Sequence, residues 1–341
     1  MKLIRTEDAV GNVLCHDITQ IIPGVTKDAV FRKGHIVTEE DIPVLLSVGK
    51  EHLYVWENQE GMLHENDGAE VLRRVCQGKY MTPTEAKEGK IELRADCDGL
   101  LKVDTKKLNQ VNAMGQIVIA SRHGNFPIKK GDKLVGMRVV PLVIEEEKMN
   151  KVEETCGNEP IFQILPFHKM KAGIVTTGSE VYHGRITDKF TPVVKTKMEE
   201  WGVEVLGNTL CDDDSKMVTE AIQDWMRQGA EMVVCTGGMS VDPDDRTPLS
   251  IRNASDEVIT YGAPVLPGAM FMLAYNGDIP IMGLPGCVMY SKRTIFDLVL
   301  PRLVAGERLR EEDFTVLGEG GLCLSCDICT FPNCGFGKNN V

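Results

Sequence analysis

Two groups of residues in this chain have the types and spacing to do chemistry. The first is Cys323-x2-Cys326-x2-Cys329-x4-Cys334, four thiols in a glycine-rich segment with too few apolar residues to fold alone. Thiolates this close act as metal ligands. Three cysteines at successive x2 spacings approach the run that holds a cubane iron–sulfur cluster, with the fourth spacing one residue long. A zinc site with four cysteine ligands fits the same residues. The second group is Thr236-Gly237-Gly238, placed directly after the apolar run Met232–Cys235. Glycine has no Cβ and tolerates positive φ, so backbone N–H groups can close on a phosphate there. The hydroxyls of Thr236, Ser240 and Thr247 add donors.

Carboxylates crowd the same region. Glu180, Asp213, Asp214, Asp242, Asp244 and Asp245 all fall in loops that follow apolar runs. They would repel a phosphate unless a hard cation lies between, and Mg²⁺ suits one or two carboxylates plus phosphate oxygens. Phosphoryl transfer asks little more of a protein than such positioning. Asp214 stands just before a helical pattern and reads as its cap. Arg185 and Arg246 are the cations placed to offset phosphate charge, and no general base is evident. Cys287 follows Gly286 at an expected helix start, where a thiolate is favoured. The plainer reading is a small residue packed under the loop, since no acid–base partner is placed beside it.

Three strand–loop–helix repeats must position these groups. The run 172–177 leads into Gly178-Ser-Glu180, the run 231–235 into Thr236, and the run 279–282 into Gly283-Leu-Pro285-Gly286. Such alternation reads as an open, mostly parallel α/β sheet, whose ligands bind beyond the carboxyl ends of the strands. Helices are expected over 188–200, 215–228 and 288–304, and a strand over 203–206. Before this domain, residues 1–150 mix strands with short helices in an α+β pattern. Helices are expected over 41–48, 67–76 and 105–113, and strands over 51–56, 91–94, 100–103, 116–120 and 133–144. His16, His35, His52, His64 and His123 lack metal-ligand spacing and read as structural or solvated. The charge-rich stretch 145–154 reads as a solvated helix or linker.

The 341 residues allow two or three domains, and the formal charge of −12 disfavours polyanion partners. No basic block suggests nucleic-acid binding, and no apolar run is long enough for a membrane. No secretory h-region is visible at the start. Eleven cysteines without one point to a reducing cytoplasm.

Thr177-Gly178-Ser-Glu180, Asp213-Asp214, Thr236-Gly-Gly-Met-Ser240, Asp245-Arg-Thr247-Pro and Gly283-Leu-Pro285-Gly286 together resemble the molybdopterin-binding domain. That domain is shared by molybdopterin adenylyltransferases, molybdotransferases and the competence-damage-inducible protein family. The resemblance implies a three-layer α/β/α sandwich over 161–310, between the α+β domain and a Cys-rich tail at 318–341. It implies a pterin phosphate at the diglycine loop, with Thr177, Gly178, Pro285 and Gly286 lining the site. It also implies Glu180, Asp213 and Asp245 acting through Mg²⁺ in adenylyl or molybdate transfer, with ATP or molybdate as further ligands, and a homo-oligomer. The run Val10–Leu14 through Phe31–His35 resembles the start of molybdotransferase chains. The early Ser-Ala-Met-Asp-Gly-Tyr-Ala segment of those enzymes is absent, and Cys287-Val288 replaces their Asn-Pro. Two other functions are compatible: a pterin delivery protein without turnover and a metal-dependent tail, and a Mg²⁺-dependent pyrophosphatase of the ADP-ribose type. The string Asp242–Thr247 is nearer the competence-related domain, whose relatives hydrolyse nucleotide-sugar pyrophosphates.

Overall fold

The computed structural model describes residues 2–22, 26–55, 60–240, 242 and 245–338. Asp244, and the Trp56 expected to end a strand, lie outside them. The chain divides into two units interleaved in sequence. One comprises Met1–Asp96, Val103–Arg122 and Gly131–Gln163; the other comprises Cys97–Lys102, His123–Lys130 and Ile164–Val341. Among the described residues no helix is long and apolar enough to cross a membrane.

In the first unit, an antiparallel sheet orders the strands Met81–Pro83, Lys90–Ala95, Lys133–Val139 and Ile117–Ser121. Ile91, Leu93 and Ala95 alternate into the core, the period of two that one buried face demands. The helix Glu65–Cys76 buries Val71, Leu72 and Val75. The expected single strand over 133–144 is broken into Lys133–Val139 and Val143–Glu145. Pro141 between them cannot donate to a ladder. The stretch read as a solvated helix or linker is the helix Glu146–Cys156, with Met149, Val152 and Cys156 buried. Its apolar residues recur every three or four positions, a stripe that the surrounding charges obscure.

The histidines here have local partners. His35 Nε2 lies 2.6 Å from Asp41 Oδ2. His64 donates from Nε2 to the Cys15 carbonyl at 2.6 Å and accepts the Asn66 N–H at Nδ1, a pairing that needs the neutral ring. Burial holds its pKa below the usual histidine value, although the Cys15 carbonyl favours the cation.

The second unit is built on a six-stranded sheet, its elements numbered here within the unit. The strands are β1 (Lys171–Thr177), β2 (Glu204–Cys211), β3 (Met232–Thr236), β4 (Glu257–Tyr261), β5 (Met272–Asn276) and β6 (Ile279–Leu284), in spatial order β2-β1-β3-β6-β5-β4. The first four in that order are parallel; β5 and β4 add antiparallel pairs at one edge. The helices are α1 (Ser179–Tyr182), α2 (Phe190–Glu199), α3 (Ser215–Arg227), α4 (Thr247–Ala254), α5 (Ile295–Val304) and α6 (Glu311–Thr315).

Alternate strand residues feed two cores. Ile174, Met232, Val234 and Met282 pack with Val194 and Met198 of α2 and Phe296 and Leu300 of α5. Val175, Val233, Cys235 and Ile281 pack with Val218, Ile222 and Trp225 of α3 and Ile251 of α4. A sheet buried on both faces explains its near-continuous apolar runs, and the result is a three-layer α/β/α sandwich. Trp225 lies over Gly173 and Gly207, where any Cβ would overlap the indole, and its Nε1 donates to the Ile174 carbonyl at 3.0 Å.

The last helix starts later than the expected 288. A 3-10 turn covers Gly286–Met289, and α5 begins at Ile295. Thr294 and Asp297 form a capping box that fixes this start, with Asp297 Oδ2 accepting the Thr294 N–H at 2.8 Å.

Candidate functional site

Strand register gathers the loops at one edge of the sheet. Thr177 pairs with Cys211, Thr176 with Thr236, and Thr236 with Leu284, so four parallel strands end level. The peptides that follow, at Gly178, Asp212, Gly237 and Pro285, therefore emerge side by side.

The diglycine is a requirement of the fold. Gly237 has φ 84° and Gly238 φ 54°, both in the left-handed region. A Cβ on Gly237 would overlap the Thr177 carbonyl oxygen, and one on Gly238 would lie 2.7 Å from Thr247 Oγ1. Thr177 and Thr247 hydroxyls bond each other at 3.1 Å behind the loop, and the Thr247 N–H donates to the Gly238 carbonyl at 3.2 Å. Among the described residues, the N–H groups of Gly237 and Gly238 donate to no protein acceptor. Gly286 differs. It is exposed, its φ is ordinary, and a Cβ there would meet nothing within 4 Å.

The carboxylates take distinct roles. Asp214 caps α3, accepting the Met217 N–H at 2.8 Å. Asp213 Oδ2 accepts the Ser179 N–H at 2.9 Å and joins the β2 loop to the start of α1. Asp245 Oδ2 accepts the Ser240 N–H at 2.9 Å, closing the loop on itself. Glu180 is exposed on α1, beside Gly178. Among the described residues no three His, Cys, Asp or Glu side chains converge in a metal-binding group.

Several expected donors face inward. Thr236 is fully buried and donates to Thr176 Oγ1 at 3.2 Å. Thr176 continues to Thr191 Oγ1 at 2.9 Å and Asn208 Oδ1 at 3.1 Å, and Asn208 Nδ2 reaches Asp188 Oδ2 at 3.3 Å. This polar chain beneath the loops escaped the sequence reading. Its only signal was the run of threonines ending β1. Tyr261 was missed with its strand; its hydroxyl donates to the Met239 carbonyl at 3.4 Å. Burial, with Asp245 nearby, pushes that phenol's pKa up. Cys287 lies in the 3-10 turn rather than at a helix start, and burial pushes its thiol up, away from the thiolate.

The arrangement offers two amides with no acceptor among the described residues, and acidic loops, at the carboxyl edge of a parallel sheet. Residues 173–305 match the family model described as probable molybdopterin binding domain, and residues 3–57 match a domain of unknown function. The segment 173–305 is thus similar to that molybdopterin-binding domain family. A CinA-like protein of Mycobacterium tuberculosis is 35% identical over 77 residues, which is 23% of this chain and 18% of the relative. One from Mycobacterium sp. strain MCS is 32% identical over 81 residues, 24% of this chain and 19% of the relative. The chain thus spans under a fifth of the length of these curated relatives. Among solved structures, the molybdopterin biosynthesis enzyme MoaB of Thermus thermophilus is 22% identical with a TM-score of 0.35, covering 40% of this chain and 98% of that one. The protein CinA of Thermoplasma acidophilum is 16% identical with a TM-score of 0.30, covering 35% and 89%.

Proposed function

We propose that the second unit binds molybdopterin, or a related phosphorylated pterin, with its terminal phosphate on the diglycine loop. The observation that carries this reading is the pair of successive N–H groups at Gly237 and Gly238 with no acceptor among the described residues. Unmade hydrogen bonds of this kind are costly, and a phosphate oxygen satisfies both donors at once. Gly286, whose lack of a side chain serves no local packing, keeps the neighbouring loop open to a ligand.

Glu180 and Asp213 stand on adjacent loops and are the groups that would hold Mg²⁺, which needs only one or two carboxylates beside phosphate oxygens. The ion would offset ligand charge at this acidic edge. In this reading the protein matures the molybdenum cofactor in the cytoplasm by adenylyl or molybdate transfer, taking ATP or molybdate as second substrate and working as a homo-oligomer. A second reading, binding and delivery without turnover, is favoured by the backbone bonds that Asp213 and Asp245 already make.

Incubation of the purified chain with molybdopterin, ATP and Mg²⁺ separates them. Transfer of AMP to the pterin supports the transferase; tight binding with ATP unconsumed supports delivery. Hydrolysis of ADP-ribose without pterin binding would overturn both.

A further inference from the structure

The C-terminal segment is pinned at both ends and loose between. At its start, Leu266 and Leu322 form a parallel bridge, and the Cys323 N–H donates to the Leu266 carbonyl at 2.8 Å. At its far end, the Gly337 N–H donates to the Gly320 carbonyl at 2.9 Å, and Phe336 is buried in the core that includes α5. Cys323 and Cys334, next to these anchors, pack half-buried against the same core. Between them Cys326 and Cys329 are exposed, as are Leu324 at 79% and Ile328 at 81%.

All four thiols line a single cavity of about 450 Å³. Its wall carries Lys292 and Arg293. Lys292 Nζ donates to the Asp327 carbonyl at 2.7 Å, and the Arg293 guanidinium lies 5.0 Å over the Phe331 ring. None of the four cysteines is in a disulfide.

We propose that Cys323, Cys326, Cys329 and Cys334 ligate one [4Fe–4S] cluster in this cavity. The spacing supplies the ligands and favours the cluster, since three cysteines at successive x2 spacings approach the run that holds a cubane. The four cysteines line one cavity but form no ready-made ligand group among the described residues, so ligation would draw them together around the cluster. Four thiolates bring four negative charges, and Lys292 stands on the wall to offset part of them, whereas the Arg293 guanidinium is paired with Glu200 and Asp297. Ligation also gives the exposed stretch 324–329 the fixed centre that its side chains do not supply. This assignment does not rest on pterin binding, and its test reads metal alone.

The test is iron, acid-labile sulfide and zinc analysis of the anaerobically purified full-length chain, with visible absorption. The expected result is ~4 iron and ~4 sulfide per chain with broad visible absorption. One zinc and no sulfide, or no bound metal, overturns the proposal. Cys326→Ala/Cys329→Ala, at exposed positions where the core loses nothing, should abolish iron and absorption. Cys287→Ser, outside the cavity, should retain both. A double variant that keeps its full iron content also overturns the assignment.

Discussion

The diglycine loop and the cysteine tail lie in the same unit and are built on opposite principles. At the loop, strand register brings Thr177, Gly237, Gly238 and Thr247 into contact, and the backbone alone dictates glycine. In the tail, main-chain bonds hold the ends, and between them Lys292 holds the Asp327 carbonyl while Cys326 and Cys329 are exposed. Under the two assignments proposed above, one region is organised before its ligand arrives and the other is organised by its ligand. Preformed sites lose little entropy on binding, whereas metal sites of the second kind take part of their folding free energy from the metal.

Four substitutions sharpen this contrast. The largest effect falls on the structure between the two regions. Asp297 is buried and receives Lys197 Nζ at 2.9 Å and Arg293 at 2.8 Å. Asp297→Ala takes the carboxylate from Lys197, leaves Arg293 with Glu200 alone and breaks the α5 capping box, and should cost about 3–5 kcal/mol in thermal or denaturant unfolding. Next comes Gly237→Val, which forces a β-branched residue into positive φ against the Thr177 carbonyl. Its expected cost is about 2–4 kcal/mol, with pterin binding lost. A stable Gly237→Val variant would break the claim that the loop is organised in advance.

Smaller effects on stability carry more information on function. Asp213→Asn keeps an oxygen for the Ser179 N–H and removes the charge. It should shift stability by less than about 0.5 kcal/mol, yet abolish the Mg²⁺ dependence of pterin affinity measured by calorimetry. Unchanged Mg²⁺ dependence would assign Asp213 to the cap alone. Gly286→Val has open space around it and should leave the melting temperature unmoved while weakening pterin binding about tenfold or more. Equal affinity would remove Gly286 from the site.

Much of the second unit could be read from its sequence because its chemistry is local. Buried parallel strands give continuous apolar runs, and Asp214 before Ser215 marks a helix start. The edge strand β4 and its neighbour β5 went unseen, and in β4, Glu257–Tyr261, polar and apolar residues mix without a long apolar run. The late start of α5 is a matter of which cap wins: Thr294 with Asp297 displaces the glycine turn at Gly286. At the site, residue types pointed to the diglycine, but the direction of hydroxyls did not follow from them. Thr236 belongs to the motif, and its hydroxyl is spent on Thr176, a contact that only register across β1 and β3 creates. The stretch read as a solvated helix or linker is a helix over 146–156 whose buried stripe, Met149, Val152 and Cys156, was hidden among acids and lysines.

The most direct measurement is calorimetric titration of the folded full-length chain with molybdopterin and, separately, with the same pterin lacking its terminal phosphate. If the amides of Gly237 and Gly238 hold that phosphate, its removal weakens binding by about a hundredfold or more. Equal affinity for the two pterins would contradict the account.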